Sequence, residues 1–228
     1  MRGEIAESQQ NTGEAKAPRG SGAAGVVPTN LRGLCSHPMV APTLSRTELL
    51  DRLLDVFRSR GFEGATVAEI SRRTGLGKAS LYHHFPGGKD EMVEVVTREV
   101  CARLNQDVFG KLNRLTNPVP ANERIAAMID GFDQYFAGGE HNCLLAVMSL
   151  GTARERLGLI VREEQARWLE ALTQTYAENG ASKKEARREA RELFVRIHGA
   201  IIMARLLDDP KPFRQTIRRL LKDLRGTE

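Results

Sequence analysis

The chain has 228 residues, 41% hydrophobic and 5% aromatic, with a formal charge of +5 and three cysteines. That is enough for an apolar core in one or two domains, and the few aromatics argue against a β-rich chain. Cys35, Cys101 and Cys143 lie far apart with no CxxC or HxxxH spacing, which excludes a zinc motif and fits a reducing compartment. The longest apolar run, near Cys143 to Met148, is far short of the ~20 residues that span a bilayer.

Residues 1–43 are rich in Gly, Ala, Ser and Pro and show no apolar periodicity, which predicts a disordered tail. A basic arm for a DNA minor groove is the alternative. Its material is thin: Arg2, Lys16, Arg19 and Arg32, offset by three acids. No basic segment followed by an apolar one opens the chain, so no signal peptide is expected, and the expected location is cytoplasmic.

Helical signals begin at Ser45, which with Glu48 has the spacing of a capping box. Leu49, Leu50, Leu53, Leu54 and Phe57 recur at helical spacing, Gly61 is a C-terminal stop, and Phe62 is placed to fold back on the same core. Thr66 and Glu69 predict a second box and a second helix. Ala68 and Ile70 face its core, and Arg72 and Arg73 bring positive charge to its last turn. Gly75 permits a left-handed turn, Leu76 plugs it, and a third helix is predicted from Lys78 to Phe85. At about 100° per residue, Leu81 and Phe85 point one way and Ala79, Ser80 and His83 the other. Lys78 and Tyr82 lie on one flank, His84 on the other. A short helix with two apolar anchors and small or polar groups outward suits a major groove. Ser80 and His83 are assigned to base edges, Ala79 to a thymine methyl, and Lys78, Tyr82 and Lys89 to phosphates.

The stretch from Arg46 to Val96 resembles the DNA-binding domain of TetR-family transcriptional regulators. Thr66, Ile70, Gly75, Leu76, Leu81, Tyr82, His84, Phe85 and Lys89 carry the resemblance, above all the Leu81-Tyr82-His83-His84-Phe85 phrase after Gly75. It implies a DNA-contacting set of Thr66, Lys78, Ala79, Ser80, Tyr82, His83, His84 and Lys89. Two departures stand out. Gly77 occupies the place of a Ser or Thr cap, and Pro86-Gly87-Gly88 lengthens the link to Lys89 by one residue. Over residues 45–100 nine basic groups balance nine acidic ones. Only the placement of Arg72, Arg73, Lys78 and Lys89 therefore argues for DNA, and a non-specific architectural binder, which works by neutralising phosphates, is disfavoured.

A long helix is predicted from Gly88 towards Leu112, with Met92, Val93, Val96, Val100 and Leu104 as its buried stripe, before Asn117, Pro118 and Pro120 break the pattern. Everything beyond reads as helix: one through Ile125 to Phe136 ending at Gly138-Gly139, an apolar one at Cys143–Leu150, and one through Ile160 to Tyr176 ending at Asn179-Gly180. Ser182 and Glu185 form a third box, opening a helix that turns apolar from Leu193 to Leu206. A last helix starts near Pro212. The expected fold is all-α. Residues 44–91 form a helix-turn-helix DNA-binding domain of three helices, and residues 92–228 a helical ligand-binding and dimerisation domain.

The resemblance implies a homodimer on double-stranded operator DNA, with Ile197, Ile201, Phe213, Ile217 and Leu221 at the interface, although two amphipathic helices also fit an intramolecular hairpin. It implies a small effector as well. Phe132, Tyr135, Phe136, Met148, Trp168, Phe194 and His198 are the candidate wall of a pocket for an apolar or aromatic molecule, although residues of these types at helical spacing are more often core than ligand wall. The expected role is a repressor released by that effector. No nucleophile-base spacing, phosphate loop or metal motif points to an enzyme or a cofactor, and Cys143, near His141, reads as a buried inert thiol.

Overall fold

The computed structural model describes residues 44–226; the segment 1–43, expected to be a disordered tail, lies outside them. The described residues are all-α, with nine α-helices, two short 3-10 turns and no strand. The helices are α1 (Arg46–Gly64), α2 (Val67–Thr74), α3 (Lys78–His84), α4 (Gly88–Asp107), α5 (Ala121–Tyr135), α6 (Leu144–Met148), α7 (Ala153–Glu178), α8 (Lys183–Leu207) and α9 (Lys211–Arg225).

Local chemistry sets the helix starts. The Ser45 hydroxyl accepts the N–H of Glu48, and the Glu48 carboxylate takes the N–H of Ser45; Ser182 and Glu185 repeat this reciprocal pair at the head of α8. The box expected at Thr66 is only half formed. Thr66 accepts the N–H of Glu69, but the Glu69 carboxylate is drawn to Arg72, one turn on, by Nε at 2.9 Å and Nη2 at 2.7 Å. A bidentate charged pair outcompetes a backbone N–H. Gly61 does not end α1; it kinks it, at φ 68°, and the helix resumes to Gly64.

The stripe of α1, Leu49 to Phe57, and that of α4, Met92 to Leu104, are buried together as the periodicity predicts. α1 packs on α2, α4 and α6; α7 lies along α8, and α8 along α9. The apolar helix read at Cys143–Leu150 is shorter, five residues, and Leu150 is exposed. α4 stops at Asp107, and a 3-10 turn at Phe109–Leu112 inserts Phe109 into the core. The buried guanidinium of Arg124 holds the far end together, donating to the carbonyls of Leu112 and Val119 and pairing with Glu178 at the end of α7.

The other end of α7 is fastened to the N-terminal helices. The Glu63 carboxylate accepts both the N–H and the hydroxyl of Thr152, and Arg156 pairs with Asp90 at 2.8 Å. Those bonds from Thr152 hold the Glu63 carboxyl below its ordinary pKa.

Candidate nucleic-acid interface

The α2–α3 turn is built by hydrogen bonds that read back into the scaffold. Gly75 sits at φ 76° and its N–H caps the carbonyl of Ser71. The Ser71 hydroxyl donates to the carbonyl of Leu76 at 2.6 Å, and Arg52, from α1, donates to that of Thr74 at 2.9 Å. α3 is seated by Leu81 and Phe85, both fully buried. Ile70 seats α2 as expected. Ala68 is exposed, and Thr74 takes the second buried place, its hydroxyl satisfied by the carbonyl of Ile70 at 2.8 Å.

Of the DNA-contact candidates, Thr66, Lys78, Ala79, Tyr82, His83 and His84 are exposed and Ser80 is half-buried. Gly77 leaves α3 without a side-chain cap. The Lys78 ammonium lies 5.9 Å from the centre of the Tyr82 ring, so a cation and a phenol share one flank. The longer link has a local purpose. Gly88 sits at φ 68° beneath the Tyr82 ring, where a Cβ would come within 3.3 Å of Cε1, and the Gly87 N–H is capped by Glu91 at 2.7 Å. Gly-Gly thus starts α4 directly under the ring.

Lys89, assigned to a phosphate, is engaged within the chain. Its Nζ donates to the carbonyl of Phe62 at 2.9 Å and lies 4.1 Å from the centre of the Phe62 ring, tying α4 to the end of α1. A phosphate would have to share or draw away that ammonium. Arg72 is likewise engaged by Glu69, which leaves Lys78 and Arg73 as the basic groups of this surface without such a partner among the described residues.

The expected pocket residues do come together, as packed rings. Trp168 stacks on Phe109 (4.6 Å between ring centres, 6° between planes), Phe109 on Phe194 (5.7 Å, 20°) and Phe194 on His198 (5.5 Å, 13°). Phe132 meets Phe109 edge-on and Phe136 in parallel, and Met148 is buried. The polar tips are satisfied: the Trp168 indole donates to Asn105, and the Tyr135 hydroxyl accepts from Arg58 at 3.0 Å. Helical spacing does not single out Phe109, because an aromatic just past a helix end belongs to no stripe. Nor does it single out Arg58. That residue is only 9% exposed, no carboxylate of the described residues lies within ion-pair reach, and its Nε is buried without an acceptor. Burial pushes the Cys143 thiol up in pKa and Cys101 to about 11, away from nucleophilic use. No cluster of metal-ligating side chains occurs among the described residues, and none of their helices is long and apolar enough to cross a membrane.

The interface candidates lie on α8 and α9. Ile197, Ile201, Phe213 and Ile217 are buried in the chain's own core, and Leu221 is half-buried. The outer face of α8 instead exposes Val195 (71%), Ile202, Met203 and Leu206 (71%), while the outer face of α9 is polar.

Residues 49–96 match the family described as "Bacterial regulatory proteins, tetR family", and residues 121–219 that of the "Transcriptional regulator LmrA/YxaF-like, C-terminal domain". The transcriptional regulator BetI of Brucella anthropi is 37% identical over 86 residues, which is 38% of this chain and 42% of BetI, so the chain spans less than half of that relative. The regulator LmrA of Bacillus subtilis is 25% identical over 166 residues, covering 70% of this chain and 86% of LmrA. Among solved structures, a TetR-family regulator from Agrobacterium tumefaciens aligns with a TM-score of 0.64 at 22% identity, over 78% of this chain and 97% of that one. CifR, solved with a 26bp double-strand operator DNA, aligns with a TM-score of 0.62 at 19% identity, over 80% and 98%. At these identities the structures speak for the fold.

Proposed function

This chain belongs to the TetR family of transcriptional regulators, and from that premise we propose that it reads operator DNA as a homodimer and is a repressor released by a small molecule. Family membership makes it a regulator rather than an enzyme. The observation that carries the DNA reading is α3 itself: two fully buried anchors, Leu81 and Phe85, hold a helix whose Lys78, Ala79, Tyr82 and His83 are exposed. A groove-reading helix needs that split between seat and face. In this reading residues 44–91 form the reading head and residues 92–228 the effector-binding and dimerisation part.

The homodimer is proposed through α8, whose exposed Val195, Ile202, Met203 and Leu206 make an apolar face. Two heads then meet two half-sites about one DNA turn, or a multiple, apart. The test selects bound sequences from a random pool and measures the winner and its single-base variants at several salt concentrations. Lys78→Ala should weaken every sequence alike and lower the log-log salt slope by about one per contact, doubled in the dimer. Ser80→Ala should relax preference at one or two positions per half-site, by about 1–3 kcal/mol for a good base contact. Identical, base-independent profiles for the two variants would remove α3 as the reader.

A further inference from the structure

α9 carries a one-sided row of positive charge. At about 100° per residue, Lys211, Arg214, Arg218, Lys222 and Arg225 fall within roughly 80° of arc, and all of them are exposed. No acidic residue stands among them. The one carboxylate of α9, Asp223, lies across the helix and meets Arg196 of α8 at 3.3 Å. The row therefore occupies the flank of α9 turned away from α8 and from the apolar outer face of that helix.

Little of this charge is neutralised within the chain. Lys211 reaches Asp209 only at 3.6 Å, and Arg214 pairs with Glu140 at 3.1 Å. Arg218, Lys222 and Arg225 have no ion pair among the described residues. The basic head of α8 is built differently. Its Lys183, Lys184, Arg187, Arg188 and Arg191 are interleaved with Glu185, Glu189 and Glu192, and Glu189 holds Arg188 at 2.8 Å. A solvated face ordinarily mixes signs in that way. Like charges one turn apart repel, and a partner of opposite charge relieves that repulsion.

The chemistry of the row selects among polyanions. A helix that lies on a membrane puts its apolar side into lipid, but Phe213, Ile217 and Leu220 are buried in the chain's own core. Single-stranded nucleic acid is held by aromatic rings on which bases stack, and no exposed residue of α9 is aromatic. Protein interfaces centre on aromatic and apolar residues and are poor in lysine, and the row has no apolar member. A duplex needs only cations in line. From Lys211 to Arg225 the row runs ~21 Å at 1.5 Å per residue, alongside about six base pairs of a rod that carries one negative charge per ~1.7 Å of its axis.

We propose that the outer row of α9 is a second, sequence-independent contact for double-stranded DNA, which holds a length of duplex other than the one that α3 reads. α9 packs on α5 and α8, whereas α3 packs on α2, so the two address DNA from different parts of the fold. The row requires nothing of the reading helix, and the two assignments stand or fall separately.

The test uses the full-length protein and the triple variant Arg218→Gln, Lys222→Gln, Arg225→Gln, whose exposed positions leave the melting temperature unchanged. Binding to a labelled 40-base-pair duplex of arbitrary sequence is measured at several salt concentrations. Each phosphate contact contributes about 0.9 to the log-log slope, so the triple variant should lose roughly 2–3 per protomer engaged and bind about tenfold or more weakly at low salt. Arg218→Lys with Arg225→Lys keeps the charge and should keep the slope. Beads carrying the selected operator, loaded with protein and washed, should retain a second duplex of unrelated sequence, and beads loaded with the triple variant should not. Equal slopes for wild type and triple variant, operator beads that retain no second duplex, or row-dependent binding to phosphatidylserine vesicles in place of duplex would each overturn the proposal. A chain that selects no operator overturns the regulator reading instead, and the salt slopes then decide the row.

Discussion

Replacing Gly88 by alanine tests whether the lengthened link serves the reading helix. The backbone there is left-handed, φ 68°, and the added Cβ would lie 3.3 Å from Cε1 of Tyr82. An L-residue in that conformation costs about 1–2 kcal/mol, and the tight contact must move the ring. For a domain of this size about 2–4 °C is lost per kcal/mol, so Gly88→Ala should lower the melting temperature by roughly 2–8 °C. The ring also has to shift on the helix that presents it, so affinity for the selected operator should fall by more than the stability loss explains under conditions where both proteins are folded. Gly77→Ser is the matched control. Gly77 has φ −65° and ψ 157°, is the N-cap of α3, and has open space for 4 Å around the point where a Cβ would stand. Serine there gains a cap worth a few tenths of a kcal/mol. Thermal denaturation followed by circular dichroism, with operator binding alongside, decides the matter. If Gly88→Ala melts with the wild type, or if Gly77→Ser is equally damaging, the reasoning about this link is wrong.

Other outcomes follow from the same geometry. Arg58→Met should leave stability unchanged or raise it, because a buried guanidinium without a carboxylate is replaced by apolar volume. Tyr135→Phe should cost about 1.5–3 kcal/mol in the wild type and little in Arg58→Met, which a double-mutant cycle by denaturant titration measures. Val195→Glu with Leu206→Glu should give a folded monomer in analytical ultracentrifugation, whereas Ile201→Glu should unfold the chain, because Ile201 faces its own core. His198 supplies a pH prediction. Its folded pKa lies below the ordinary 6.5, so its share of stability is intact above pH 6.5 and is lost as pH falls through the lower folded value. The stability difference between wild type and His198→Phe should therefore be flat above that pH and bend below it; a difference that stays flat down to pH 5 contradicts the assignment.

The helices and their starts were legible because their causes are local. Ser45 and Glu48, or Ser182 and Glu185, need only three residues of sequence to declare a cap. Thr66 and Glu69 show the limit: the pattern is the same, but Arg72 claims the carboxylate. The faces of α8 were harder. It is apolar on two sides, with Leu193, Ile197, Ile201 and Ala204 turned inward and Val195, Ile202, Met203 and Leu206 outward. Periodicity finds both stripes and cannot say which one the chain keeps for itself. Pairings such as Arg58 with Tyr135, 77 residues apart, or Lys89 with the carbonyl of Phe62, leave no trace in spacing. They exist only once the helices have packed.

The fastening of α7 at Thr152 and Arg156 has a mechanical side. Between Thr152 and Trp168, where the indole is locked by ring stacking and by Asn105, the chain climbs about 24 Å at 1.5 Å per residue. Treated as a rigid arm pivoting at the stack, α7 would swing its lower end by ~3.3 Å for a rotation of about 8°, close to the ~3.4 Å that separates successive base pairs. The carboxylates of Glu63 and Asp90 are the couplings at the tip of that arm, and they sit on α1 and α4. Were α7 to pivot in this way, the step at its tip would match the base-pair spacing that the proposed reading head meets.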